Sequence, residues 1–183
     1  MSLSNVFTRT RSRYRALKRD DEAATAVEFA MVAGPFFFLL FGLIEICLVF
    51  IVSTTMEHAA EDAARSIRTG AFNSASTTAQ QDMIDEICAE MVQLFDCQNN
   101  VVIQVDSPTT FATTPALNIL QGDGTLKNQG DVTFNPGTGG SEVVLRIVFR
   151  WQLITPLLST PLANYGNDSR LIQATVAFKN EPF

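Results

Sequence analysis

The chain has 183 residues, of which 46% are hydrophobic, 17% charged and 9% aromatic, with a formal net charge of -6. This profile excludes a collagen-like chain, a disordered polyelectrolyte and a disulfide-dense mini-protein. An acidic balance also argues against sequence-independent nucleic-acid binding, which needs Lys and Arg to neutralise phosphates. Charge is nevertheless segregated: six of the 13 basic residues lie between Arg9 and Arg19, whereas residues 46–183 hold 7 basic and 14 acidic side chains.

The basic cluster Arg9, Arg11, Arg13, Arg15, Lys18 and Arg19 precedes an apolar run. Residues Phe29 to Ile44 are uncharged, Glu45 interrupts, and the run resumes to Met56. Ala24 to Ile44 spans 21 residues, which in a helix covers roughly 30 Å, the thickness of a bilayer's hydrocarbon core. The apolar region of a cleavable secretory signal is shorter, about 7–15 residues, so a retained membrane anchor is expected. Lys/Arg-rich flanks stay cytoplasmic, which predicts a single pass with residues beyond about Thr54 on the far side. Glu28 lies at the cytoplasmic edge of the run. Glu45 falls about 25 Å further along a helix, where an interfacial location near the far headgroups is expected. Gly34-Pro35 removes a backbone donor inside the helix and predicts a kink or local melting.

The helix is expected to continue past the bilayer to Gly70, a natural stop. Ile46, Val49, Phe50, Ser53, Met56, Ala60, Ala63, Ala64 and Ile67 form a stripe at helical spacing. The small side chains of Ala60, Ala63 and Ala64 allow close approach of a second backbone, either the protein's own sheet or another subunit. Residues 71–77 are small and polar, a loop. Thr78-Ala-Gln-Gln81 offers a capping-box-like start to an amphipathic helix with Ile84, Ile87, Cys88, Met91, Leu94 and Phe95 on one face, ending near Asp96. Val101 to Val105 reads as a short strand, and Gly/Pro clusters mark the middle as loop-rich with one short strand near Val132–Phe134. The clearest strand runs from Glu142 to Ile154, with Val143, Leu145, Ile147, Phe149, Trp151 and Leu153 on one face. Ile172, Ala174, Val176 and Phe178 alternate in a last strand. Together these predict an α+β fold, with one antiparallel sheet burying a single face. Three regions follow: a basic cytoplasmic leader at 1–23, a transmembrane helix with periplasmic extension at 24–70, and a periplasmic domain at 71–183.

Cys88 and Cys97 fall on the side predicted to be oxidising, and a disulfide between them is expected. A continuous helix would hold their α-carbons about 13 Å apart, beyond disulfide reach, so the helix must end before Cys97. Cys47, near the outer end of the anchor, is expected to be a free buried thiol. No nucleophile–base–acid set, phosphate loop, dinucleotide fingerprint or zinc spacing is evident. The lone His58 has no second ligand nearby. Asp123 and Asp131 sit in Gly-rich loops where solvated turns are expected rather than calcium. Arg146 and Arg150 share a strand face that could meet an acidic partner surface or simply face solvent. No catalytic, cofactor or metal role is expected.

The stretch Asp21-Glu-Ala-Ala-Thr-Ala-Val-Glu-Phe-Ala30 resembles the start of TadE-like proteins, minor pilins or pseudopilins of the tight-adherence (Tad) type IV pilus system. Phe41–Glu45, Met56–Gly70, the segment PGTGGSEVVLRIVFRWQLITPLL and the terminal FKNEPF are similar to that family as well. The resemblance implies a pilin-like fold, an inner-membrane anchor and a periplasmic domain that contributes to initiation, the tip or assembly of a pilus. It implies processing by a prepilin peptidase between Ala23 and Ala24, although Ala23 stands where the family normally has Gly and the first residue after the cut, Ala24, is not aromatic. Glu28 would then occupy mature position five, followed by Phe29. There it could neutralise the new N-terminal amine of a neighbouring subunit in apolar surroundings. The implied partners are the bilayer, other minor-pilin and major-pilin helices, the peptidase and the assembly platform, with an extracellular pilus as a further location. The alternative is an envelope scaffold that never enters a filament.

Overall fold

The structure is a computed structural model that describes residues 21–72, 74–91, 96–155, 161–166 and 168–183, with only the backbone of 21–23. The basic leader and the expected helix residues Leu94 and Phe95 lie outside the described residues. The fold is α+β, in the order α1 (Asp21–Arg68), α2 (Ala79–Glu90), a one-turn α3 (Cys97–Asn100), β1 (Val101–Asp106), β2 (Glu142–Gln152) and β3 (Ser169–Lys179). The chain divides into two compact units, one ending at Ile44 and the other running from Glu45 to Phe183. The latter half of α1 therefore belongs to the same unit as the sheet.

In the first unit, α1 exposes large apolar side chains all round, including Val27, Phe29, Met31, Val32, Leu39 and Phe41. Such a surface is at home in lipid rather than water. Helical structure continues through Gly34-Pro35 without local melting. The Phe37 and Phe41 rings stack one turn apart, with centroids 6.2 Å apart.

In the second unit the three strands pair antiparallel in the order β1-β2-β3. The register aligns Val101, Phe149 and Ile172 across the sheet, then Ile103, Ile147 and Ala174, then Val105, Leu145 and Val176. These rows join Val52, Met56, Ala59, Ala60, Ala63, Ala64 and Ile67 of α1 and Met83, Ile84 and Ile87 of α2 in one core. The buried face of α1 follows the expected stripe at Met56, Ala60, Ala63, Ala64 and Ile67. It departs from it at the start, where Glu45 and Val52 are buried while Ile46 and Phe50 are exposed. A carboxylate on the buried face is what an apolar pattern does not register.

Over β1 and β2 the sheet is buried on both faces, where a single buried face was expected, while Gln173, Thr175, Ala177 and Lys179 of β3 stay exposed. Val102 and Val148 on the opposite face pack with Ile119 and Val132 of the long β1–β2 connection. Beside them Gln104 donates to Asp106 Oδ2 at 2.7 Å, and Arg146 Nη1 reaches the same oxygen at 3.1 Å. The other Arg146 amine donates to the Pro115 carbonyl, and the Asn118 amide donates to Gln104 Oε1. Polar groups that would have faced water hold a loop down instead. Residues Val132–Phe134 make only an isolated parallel bridge to β1, Val105 to Phe134, not a strand.

Local ends explain themselves chemically. Gly70 closes α1 with φ +72, and a Cβ there would lie 2.7 Å from the Phe183 ring, so glycine is required on both counts. Thr78 caps α2 by position but makes no capping-box bond; its hydroxyl donates to Asp82 Oδ2 at 3.0 Å instead. Helix α2 ends at Glu90, earlier than expected, and Cys88 and Cys97 are joined in a disulfide with α-carbons 5.7 Å apart.

Candidate functional site

The most highly connected polar group of the second unit is one that the sequence pattern assigned to an interface. Glu45 is 2% exposed. Its Oε1 accepts from the Trp151 indole Nε1 at 3.0 Å. Its Oε2 accepts from the backbone amides of Ile154 at 3.0 Å and Thr155 at 2.9 Å, and from the Thr155 hydroxyl at 3.0 Å. No cation pairs with it among the described residues. The carboxylate is held by four neutral donors, each charge-assisted.

The local sequence makes this clasp possible. Trp151 lies on the core face of β2 opposite Arg170. After Gln152 the strand ends, Leu153 is buried, and the next amides turn away from the ladder. Donors freed at a strand end need acceptors, and Glu45 supplies them. Beside the clasp a groove of about 440 Å³ is lined by Ile46, Val49, Phe50, Leu162, Arg170 and Ile172. The Arg170 guanidinium is turned to the Leu162 carbonyl at 2.9 Å.

The sequence-predicted site residues are placed as follows. Ala23 and Ala24 lie in the first turn of α1. Glu28 and Phe29 are exposed on α1, and Glu28 has no hydrogen-bond or ion-pair partner among the described residues. Gly34 and Pro35 are exposed, with nothing within 4 Å of a Cβ built at Gly34. Ala60, Ala63 and Ala64 are buried at 0%, 0% and 4% in the chain's own core, which leaves them closed to another subunit. Cys47 is free but exposed, not buried.

His58 is exposed on α1. Arg146 is engaged with Asp106, whereas Arg150 is exposed and holds Asn100 Oδ1 through two donors at 3.0 and 2.7 Å, so the two arginines do not form one open basic face. Asp123 accepts from the Thr125 amide and hydroxyl within its turn, and these bonds hold its carboxyl below the ordinary range. Among the described residues no group of three His, Cys, Asp or Glu side chains is placed to hold a metal.

Among the described residues the chain has one helix long and apolar enough to cross a membrane, and within the unit from Glu45 to Phe183 a buried carboxylate holds the end of β2. Residues 23–65 match the family described as TadE-like protein. The matched segment carries Glu28, Gly34-Pro35, Glu45 and the alanines of α1. It ends at Arg65, so the sheet lies outside it. Neither the curated proteins nor the solved structures yield a match.

Proposed function

We propose that the chain is a non-catalytic minor pilin of a Tad-type pilus, anchored in the bacterial inner membrane with its α+β unit in the periplasm. The observation that carries this reading is the TadE-like match over 23–65, which falls on the helix whose apolar side chains stand exposed from Val27 to Phe41. In this reading that helix packs with major- and minor-pilin helices during initiation or assembly of the pilus. Glu28, exposed on α1, then serves the N-terminal amine of a neighbouring subunit, a charge that apolar surroundings make expensive to leave alone. The prepilin peptidase and the assembly platform are the further partners. Glu28→Ala tests the reading: loss of piliation with unchanged membrane insertion is expected, and normal piliation would overturn the role given to Glu28.

One observation favours a second reading, a permanently anchored envelope scaffold. Ala23 occupies the position where a prepilin peptidase normally meets glycine. N-terminal sequencing of the native protein separates the two. A chain beginning at Ala24 and recovered in sheared pili supports the pilin. An intact leader together with absence from sheared pili supports the scaffold.

A further inference from the structure

Between Glu28 and Glu57 the only charged residue is Glu45. Its carboxylate is enclosed by Trp151, Ile154 and Thr155, so it offers no charge to the surroundings of the helix. The apolar belt therefore does not stop at Ile44. Its exposed side runs from Phe29 to Ile51, 23 positions, or roughly 35 Å of helix against a hydrocarbon core of about 30 Å, and Val52 and Met56 beyond it are buried in the protein's own core. The surplus lies in the stretch that carries the clasp, where Ile46, Phe50 and Ile51 are exposed at 40%, 66% and 45%.

The segment clasped to that stretch has the same character. No charged residue occurs from Trp151 through Asn167 in a chain that is 17% charged, and Ile154 is 67% exposed. Non-helical backbone at membrane depth is tolerated only when its polar groups are satisfied. Glu45 takes up the Ile154 and Thr155 amides, the two that the end of β2 leaves over.

Resting on the membrane-anchored reading above, we propose that the start of the β2–β3 connection is a second membrane contact. Glu45 moors Leu153–Thr155 beside the outer end of the span, and Ile154, with Ile46 and Phe50, enters the headgroup–acyl boundary of the outer leaflet. The partner is the lipid surface itself. The lack of charge on the segment makes insertion apolar, independent of anionic lipid.

The test uses the full chain with Cys47→Ser, in phosphatidylcholine nanodiscs holding one copy each. A nitroxide is placed in turn on Ile154→Cys, on Phe36→Cys within the span, and on Leu120→Cys as a water-facing control. The ratio of accessibility to oxygen over a water-soluble nickel chelate is then read for each site. The expected ratio at position 154 is several-fold above that at 120 and below that at 36. A ratio at 154 equal to that at 120, with 36 lipid-embedded, overturns the second contact and leaves the anchor standing. A water-exposed label at 36 removes the anchor and the contact together. A label at 154 that is water-accessible in single-copy nanodiscs but shielded in protein-dense vesicles overturns the proposal in favour of a second copy.

Discussion

The indole Nε1 of Trp151 donates to the carboxylate of Glu45 at 3.0 Å across 106 positions of sequence. This bond ties the end of β2 to the first residue of the second unit's helix, and the Ile154 and Thr155 amides add to it. A buried donor that loses its acceptor costs about 1–3 kcal/mol. Glu45→Ala removes the acceptor of one buried donor and three part-buried ones, and a destabilisation of about 1–3 kcal/mol is expected by that reckoning. Glu45→Gln keeps the shape but turns an amide NH₂ toward donors, so it should lie between the alanine variant and wild type. Trp151 is the only tryptophan of the chain, and denaturant titration followed by its fluorescence reads both. Midpoints equal to wild type would show that the clasp contributes nothing to stability.

The disulfide makes a separate prediction. Cys88 and Cys97 are nine positions apart, and closing so short a loop stabilises by about 2–3 kcal/mol through the unfolded chain. Reduction, or the double change Cys88→Ser with Cys97→Ser, should lower the melting temperature of the Cys47→Ser background. An unchanged melt under reductant would mean that the bond does not limit unfolding.

The pattern of elements was legible in the sequence because it rests on period. Alternation in Val143–Leu153 and Ile172–Phe178 located β2 and β3, and the small residues near Gly70 located the end of α1. What stayed hidden has one cause, the internal use of polar side chains. Glu45 interrupts an apolar run, so charge alone assigned it to an interface; its four donors come from residues more than 100 positions away. The strand face of Arg146 likewise read as one that meets a partner or solvent, although Val144 and Val148 on that face were a signal that something covers it. The departure of the α1 stripe at Ile46 and Phe50 follows from the same blindness, since Glu45 holds the buried face there.

A pH dependence follows from Glu86. The residue is exposed overall, but its carboxyl meets Ser66 and Asp62 of α1, and partial desolvation raises it above its ordinary value of 4.5, assisted by the charges of Asp62 and Glu90. A raised acid binds its proton more tightly in the folded chain. Its contribution to stability therefore falls as pH rises from the ordinary value through the raised one, and is level on either side. Glu86→Gln should be more stable than wild type at neutral pH, with the advantage vanishing toward pH 4. Thermal melts across pH 4–8 check it, and an advantage that grows on acidification would reverse the assigned sign.

The pair Arg146–Asp106 is the sharpest probe of the loop that covers the sheet. Their side chains are only 12% and 6% exposed at a separation of 3.1 Å. Removing one partner strands the other, at about 3–5 kcal/mol for a buried pair. Asp106→Ala leaves the guanidinium with the Pro115 carbonyl alone and releases Gln104 Nε2 from its shorter bond. The expected consequence is local before it is global. Amide exchange should accelerate across Pro115–Asn118, where Gln104 and Arg146 hold the backbone, while the disulfide-linked end near Asn100 stays protected. The double change Asp106→Ala with Arg146→Met removes both charges and should recover part of the loss, because the cost lies in the unpaired cation rather than in the absent bond. A double variant no more stable than Asp106→Ala would place the cost in the lost hydrogen bonds instead.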